Sequence, residues 1–306
     1  MPFDVVFRDA IVVDGTGAER FVADVAVEGN RIAEIGTVAG SAPTEINASG
    51  LVLAPGFIDV HTHDDFSLET SPDMAFKTLQ GVTTVVTGNC GTSVAGFPDW
   101  IDARRESPAA VNVAALVGHG TIREAVIGRS TDRHATPTEL TAMRDEVRRA
   151  LDAGAIGMST GLVYEPGRYS PAEEVEELAR IVAQRNGIYT SHMRNENSGL
   201  VESVRETIDI GRATGVKVQV SHLKAIGVQN AALARVAVNE IRAARAAGVD
   251  VMADQYPYSR GSTALDQYVS ADSFRASNNF GFVAADAVMI AFAPHNPGWE
   301  GRTLES

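Results

Sequence analysis

Gly56-Phe57-Ile58-Asp59-Val60-His61-Thr62-His63-Asp64-Asp65 decides how the rest of this sequence is read: an apolar run that ends in two histidines one residue apart. In an extended strand, residues i and i+2 face the same side, so His61 and His63 present two imidazoles together where the strand stops. Beside acidic neighbours, that pair reads as metal ligands in preference to two hydrogen-bonded loop imidazoles. Further short β-branched runs stand at 82–87, 111–117, 155–160, 188–192, 217–222 and 249–254, alternating with longer helical patterns. The alternation predicts successive βα units around a parallel sheet. Seven such strands predict a (β/α)₈ TIM-like barrel, in which catalytic groups occupy the C-terminal ends of the strands.

Upstream the pattern differs. Asp4-Val5-Val6-Phe7, Ala10-Ile11-Val12-Val13, Asp24-Val25-Ala26-Val27-Glu28 and Arg31-Ile32-Ala33-Glu34-Ile35 alternate apolar and polar positions, with Asp14-Gly15 and Gly29-Asn30 as turns between them. Residues 1–55 are therefore expected to form a small antiparallel β-sheet domain, and residues 56–306 the barrel. Among the barrel helices, Pro137-Thr138-Glu139 and Ser170-Pro171-Ala172-Glu173-Glu174 open two, each with a capping residue and an acidic first turn.

Composition narrows the function. A hydrophobic fraction of 44% and a charged fraction of 21% belong to an ordinary globular chain. The formal charge of −13 opposes binding to phosphate backbones, so nucleic acid is not an expected partner. No apolar run approaches the roughly 20 residues of a membrane span, and Met1-Pro2-Phe3-Asp4-Val5 has no signal-peptide pattern. With one cysteine no internal disulfide forms, which fits a reducing compartment and leaves Cys90 for chemistry or metal. A cytoplasmic small-molecule enzyme, with no membrane partner and an undefined oligomeric state, is the expectation.

The polar residues follow the strand-end rule. Asn89 and Cys90 follow the second strand, His119 the third, Thr160 and Tyr164 the fourth, His192 and Arg194 the fifth, His222 and Lys224 the sixth, and Asp254 and Tyr256 the seventh. His192 and His222, each at a strand end, read as ligands over core imidazoles. Cys90 reads as a thiolate ligand because Thr87-Gly88-Asn89-Cys90-Gly91-Thr92 is a polar, glycine-rich setting and not an apolar one. His119 reads equally as a turn residue or as a donor to a ligand, and His134 and His295 as structural or surface residues. The glycines of 88–96 match neither G-x-G-x-x-G nor a P-loop, which excludes nucleotide binding there.

These stretches, with Gly118-His119-Gly120-Thr121, Gly157-Met158-Ser159-Thr160-Gly161-Leu162-Val163-Tyr164, Ser191-His192-Met193-Arg194-Asn195-Glu196, Val220-Ser221-His222-Leu223-Lys224 and Asp254-Gln255-Tyr256-Pro257-Tyr258, resemble the amidohydrolase superfamily, and within it the N-acyl-D-amino-acid deacylases. Many relatives bridge two metals with a carboxylated lysine after strand four. This chain has no lysine near Thr160, and a bridging Cys90 fits that absence. The resemblance implies that Cys90, His192 and His222 hold a tightly bound Zn²⁺, and that His61 and His63 form a second, weaker site. It implies further that Tyr164 polarises the scissile carbonyl and that Lys224, Tyr256 and Ser262 contact the carboxylate of a small-molecule N-acyl-D-amino acid, which is hydrolysed to a carboxylate and a D-amino acid.

The sequence also departs from the family, whose deacylases carry an aspartate after strand eight as general base. Here Ala291-Phe292-Ala293-Pro294-His295-Asn296-Pro297-Gly298-Trp299 resembles the segment before that strand, and no equivalent aspartate follows before Ser306. The expected barrel is therefore incomplete, lacking strand eight and the C-terminal strands of the small domain. Three readings follow: a deacylase in shortened form, a non-catalytic zinc-binding fragment, and another amidohydrolase activity such as a cyclic-amide hydrolase or deaminase.

Overall fold

The computed structural model describes residues 3–129, 132–267, 269–270, 273–274 and 283–305. They belong to two compact units, Met1–Phe57 and Ile58–Ser306.

In the first unit, β1 (Val5–Val12) pairs antiparallel with β2 (Phe21–Glu28), which pairs antiparallel with β3 (Arg31–Gly36). Two further strands, β4 (Thr44–Asn47) and β5 (Val52–Leu53), pair with β1 in parallel, so the sheet is mixed and not antiparallel throughout. The reason lies in burial. All four residues of β4 are exposed, so no apolar alternation marks it. Its pairing is reinforced by Arg8 of β1, whose guanidinium donates to Glu45 at 3.1 Å and Asp24 at 3.0 Å and to the carbonyls of Val38 and Gly40, both at 2.7 Å. The two runs at 4–7 and 10–13 are one strand whose register slips between Phe7 and Ala10, with Asp9 at φ 54°.

The second unit begins its sheet with β6 (Phe57–Asp59), followed by the helical turns α1 (Ser67–Thr70) and α2 (Ala75–Thr78). Then come β7 (Val82–Thr87), α3 (Phe97–Glu106), β8 (Asn112–Gly118), α4 (His119–Ile127), α5 (Pro137–Ala153) and β9 (Gly157–Gly161). The series closes with α6 (Ala172–Gln184), β10 (Ile188–His192), α7 (Leu200–Thr214), β11 (Lys217–Val220), α8 (Ala231–Ala246) and β12 (Val251–Ala253). The seven strands lie side by side in chain order, and the ladders from β7 to β12 are parallel. This is the expected barrel-type sheet, curved and seven-stranded among the described residues, ending at β6 and β12, where Ile58 and Met252 are exposed.

The core explains where the apolar residues of these strands go. Met158, Tyr189, Val218 and Val220 of the sheet pack with Val175, Leu178, Ala179 and Val182 of α6 and with Val204 and Ile208 of α7. A parallel sheet covered by helices buries both faces. Helix α5 opens as its sequence predicts: the Thr136 hydroxyl accepts from Glu139 N, and the Glu139 carboxylate accepts from Thr136 N at 2.8 Å. Helix α6 does not. Pro171 occupies its N-cap without a side-chain bond, the Ser170 hydroxyl donates instead to Gly167 O at 2.6 Å, and Glu174 of the acidic first turn is buried.

Candidate metal centre

The strand-end residues converge where the sheet geometry brings the C-terminal ends together. Cys90 is reached through Gly88, at φ 75°, where a methyl group would collide with the carbonyl oxygen of Leu116. From the other side, β9 ends at Gly161, where a methyl group would run into the Cys90 carbonyl. The glycines are thus there for close backbone approach, which is why they match no phosphate-binding pattern. Cys90 at φ 55° and His222 at φ 37° are left-handed residues that are not glycine. Strained backbone of this kind concentrates at functional sites.

Cys90 Sγ lies 3.3 Å from His61 Nε2 and 3.4 Å from His222 Nε2, and His222 Nε2 lies 2.9 Å from His192 Nδ1. Tetrahedral zinc with ligand bonds of about 2.0–2.3 Å spaces its donors roughly 3.3–3.6 Å apart; the sulfur stands at that separation from each Nε2, while His222 Nε2 and His192 Nδ1 are closer together. The donor chemistry fits too. Burial pushes the Cys90 thiol pKa far up, so the thiolate needs a cation at the sulfur, and a thiolate with imidazoles is a set that suits zinc.

Two groups of three donor residues lie within 4.8 Å among the described residues: His61, Cys90 and His222, and His192, Glu196 and His222. His61 therefore joins Cys90 and His222. His63 is exposed and belongs to neither group, its ring centroid 5.6 Å from that of His61. Partial desolvation, then repulsion from His61 and His222, lowers the His63 pKa to about 4. Burial also drives the His192 pKa well down, overriding the opposing charge of Glu196.

Two carboxylates flank the histidines. Asp254, just past β12, lies 3.2 Å from His61 Nδ1 and accepts from His222 N at 2.7 Å and from Gln219. Burial raises its pKa, but the bond and charge of His61 outweigh that and leave it below the ordinary value. Glu196, with a side chain 1% exposed, sets Oε1 2.9 Å from His222 Nδ1 and 2.7 Å from Lys224 Nζ. Its pKa is held at about 2, because the His222 bond and the charges of His192, His222 and Lys224 outweigh burial. Glu196 carries no functional mark in sequence beyond its i+4 spacing from His192; Asp254 obeys the strand-end rule but looks like any terminal acid.

The remaining candidates line the same end. The Tyr164 ring stands 4.7 Å from that of His192, with its hydroxyl 3.2 Å from Thr263 Oγ1. The Lys224 ammonium lies 5.7 Å from the centre of the Tyr256 ring, and Ser262 is exposed nearby in sequence. His119 is elsewhere: fully buried, it meets Glu174 Oε1 at 2.9 Å, and Glu174 also accepts from Arg123 at 2.6 Å. It is a member of an internal ion network.

The description of the amidohydrolase family matches residues 44–271, three-quarters of the chain. The chain belongs to the amidohydrolase family. It is 43% identical over 290 residues to a D-aminoacylase of Alcaligenes xylosoxydans xylosoxydans, an alignment that covers 87% of this chain and 60% of that protein. A crystal structure of D-aminoacylase superposes with a TM-score of 0.90 at 39% identity, over 99% of this chain and 66% of the other. The N-acyl-D-glutamate deacylase of Bordetella bronchiseptica, solved with zinc and a phosphonate inhibitor that mimics the tetrahedral intermediate, superposes with a TM-score of 0.89 at 37% identity, over 100% of this chain and 66% of the other. The chain thus spans about 60% of the length of the curated D-aminoacylase it matches. No helix among the described residues is long and apolar enough to cross a membrane.

Proposed function

We propose that this chain carries the metal site of a zinc-dependent N-acyl-D-amino-acid deacylase, which hydrolyses the amide of an N-acyl-D-amino acid to a carboxylate and a D-amino acid. The observation that supports it best is the meeting of Cys90 Sγ with Nε2 of His61 and His222 and, through His222, with His192 Nδ1. In this reading Cys90, His192 and His222 hold the tighter zinc, and His61 with His63 serves a weaker second position. Zinc in such a site polarises an amide carbonyl and activates water as a nucleophile.

The protein's own groups then divide the work. The Tyr164 hydroxyl donates to the scissile carbonyl oxygen, where negative charge develops. The Lys224 ammonium, with the hydroxyls of Tyr256 and Ser262, takes the substrate carboxylate and so fixes which end of the molecule enters. The partner is a small molecule, and the place of action is the cytoplasm, in keeping with a lone buried cysteine.

The test uses two proteins, this chain and a version extended to the relatives' length through a Gly-Ser-Asp segment. Both are expected to retain zinc by elemental analysis, and the extended one to hydrolyse N-acetyl-D-amino acids with Lys224→Ala raising KM more than it lowers kcat. Zinc in neither protein overturns the metal reading. Zinc in both without turnover leaves a non-catalytic zinc-binding protein.

A further inference from the structure

We infer that Glu196 is a positioning residue that holds His222 in the tautomer whose Nε2 lone pair faces Cys90. The inference deepens the zinc-site reading above and rests on it. His222 turns Nε2 toward the sulfur, at 3.4 Å, and His192 sets its Nδ1 2.9 Å from that same Nε2. The outward atoms, His222 Nδ1 and His192 Nε2, both face the one buried carboxylate of Glu196, at 2.9 Å from Oε1 and 3.7 Å from Oε2. Oε2 is buried with no hydrogen-bond partner and stands just beyond bonding reach of the His192 ring nitrogen.

An ionised carboxylate only accepts, so a ring nitrogen held against it must carry the proton. A proton on His222 Nδ1 leaves Nε2 bare toward Cys90 and able to accept from His192 Nδ1 at 2.9 Å in the metal-free protein. The choice is contested at His222, because the Lys224 ammonium lies 3.0 Å from the same Nδ1 and would donate to it if it were bare. That would put the proton on Nε2 and point an N–H at the sulfur. Glu196 accepts from that ammonium at 2.7 Å and stands 2.9 Å from Nδ1, so it competes for the rival donor as well as supplying the acceptor. The backbone of Glu196 is held as well: its main-chain carbonyl accepts from Ile226 N at 2.7 Å and ties the loop after β10 to the loop after β11.

Long-range ¹H–¹⁵N correlation spectra of ¹⁵N-histidine-labelled, chelator-stripped protein read the tautomers directly, and zinc affinity is read by competition with a chromophoric chelator. In the wild type, His222 is expected as the Nδ1–H form. Glu196→Gln, whose amide can donate as well as accept, is expected to raise the Nε2–H population of His222 and to weaken zinc binding by roughly 10- to 100-fold, the range for residues that orient ligands. A folded Glu196→Gln protein with unchanged tautomers or undiminished affinity overturns the inference. So does an Nε2–H His222 in the wild type, which needs no variant. Wild-type protein that takes up no zinc would sink the proposed function, and the metal-free spectra would still judge the role of Glu196 separately.

Discussion

Replacing Glu174 by alanine is the sharpest probe of how the barrel supports its site. The Arg123 guanidinium is fully buried, and its charge is met by both oxygens of Glu174 at 2.6 Å. It also donates to the Arg133 carbonyl at 2.5 Å. Glu174→Ala leaves that cation, and the His119 Nε2 beside it, in the interior without a counter-charge. Breaking a buried pair from one side costs about 3–5 kcal/mol, which at about 1.36 kcal/mol per tenfold moves the unfolding equilibrium by more than roughly a hundredfold. Urea unfolding followed by the fluorescence of Trp100, buried in α3 of the same unit, measures it. The double variant Arg123→Met/Glu174→Leu removes both charges and is expected to return to within about 1 kcal/mol of the wild type. A single variant costing under about 1 kcal/mol, or a double variant as unstable as the single, refutes the account.

The same network has a pH signature and a consequence for the site. Burial raises the Glu174 pKa, but the bond and charge of His119, and then of Arg123, outweigh it and hold the carboxyl below its ordinary value of 4.5. A depressed folded pKa gives stability that is fully present above the unfolded value and is lost as pH falls through the folded one. Wild-type stability should therefore drop below about pH 4.5 more steeply than that of Glu174→Ala. His119 opens α4, and two residues on Thr121 N donates to Gly91 O at 3.1 Å while Thr121 Oγ1 accepts from Ser93 N at 3.0 Å. The network thus stands behind the loop that carries Cys90, and the single variant should also retain less zinc.

Three further outcomes are expected. Cys90→Ser keeps the shape and removes the sulfur donor, so zinc content by elemental analysis should fall to a small fraction; unchanged content returns Cys90 to the role of a buried apolar residue. Gly161→Ala should disrupt the site and lower the thermal midpoint, because its methyl meets the backbone carbonyl of Cys90, which cannot swing aside as a side-chain tip can; normal stability and zinc content would contradict that packing. Thr136→Ala removes the reciprocal cap of α5 and should cost about 0.5–2 kcal/mol without touching zinc content.

Much of this arrangement is legible in sequence because the forces that fix it are local or periodic. The runs 82–87 and 188–192 coincide with β7 and β10, since β-branched and aromatic residues such as Val82, Thr83, Val85, Ile188 and Tyr189 favour a pleated strand. The histidines show themselves by standing where those runs stop. Strand β4 is invisible because its four residues are exposed and its place is reinforced by Arg8, 37 residues from Glu45. The cap of α6 fails because Ser170 turns back to Gly167 and leaves Pro171 at the N-cap. Asp254 is marked by its strand end but not as a partner of the histidines, and Glu196 is not marked at all, for a different reason. Surface acids are common, and what sets these two apart is burial against imidazoles contributed by other strands, which no spacing along the chain reveals.

The strain in the site and the two acids explain one another. Holding a residue with a side chain in a sparsely populated backbone region costs on the order of 1–3 kcal/mol and persists only where the surroundings over-determine it. Cys90 is fixed by the close approach of Gly161 to its carbonyl and by the bond from Gly91 N to Ser159 Oγ at 2.9 Å. His222 is fixed by Asp254, which accepts from its backbone N while facing the outward nitrogen of His61. One carboxylate therefore sets the backbone of one histidine and faces the ring of another, as Glu196 faces the rings of two. Without these acids, His222 would relax toward an ordinary backbone conformation, and its Nε2 would leave the 3.4 Å position opposite Cys90 Sγ. The donor geometry is thus a property of the packed strand ends as a set, and the histidines alone do not specify it.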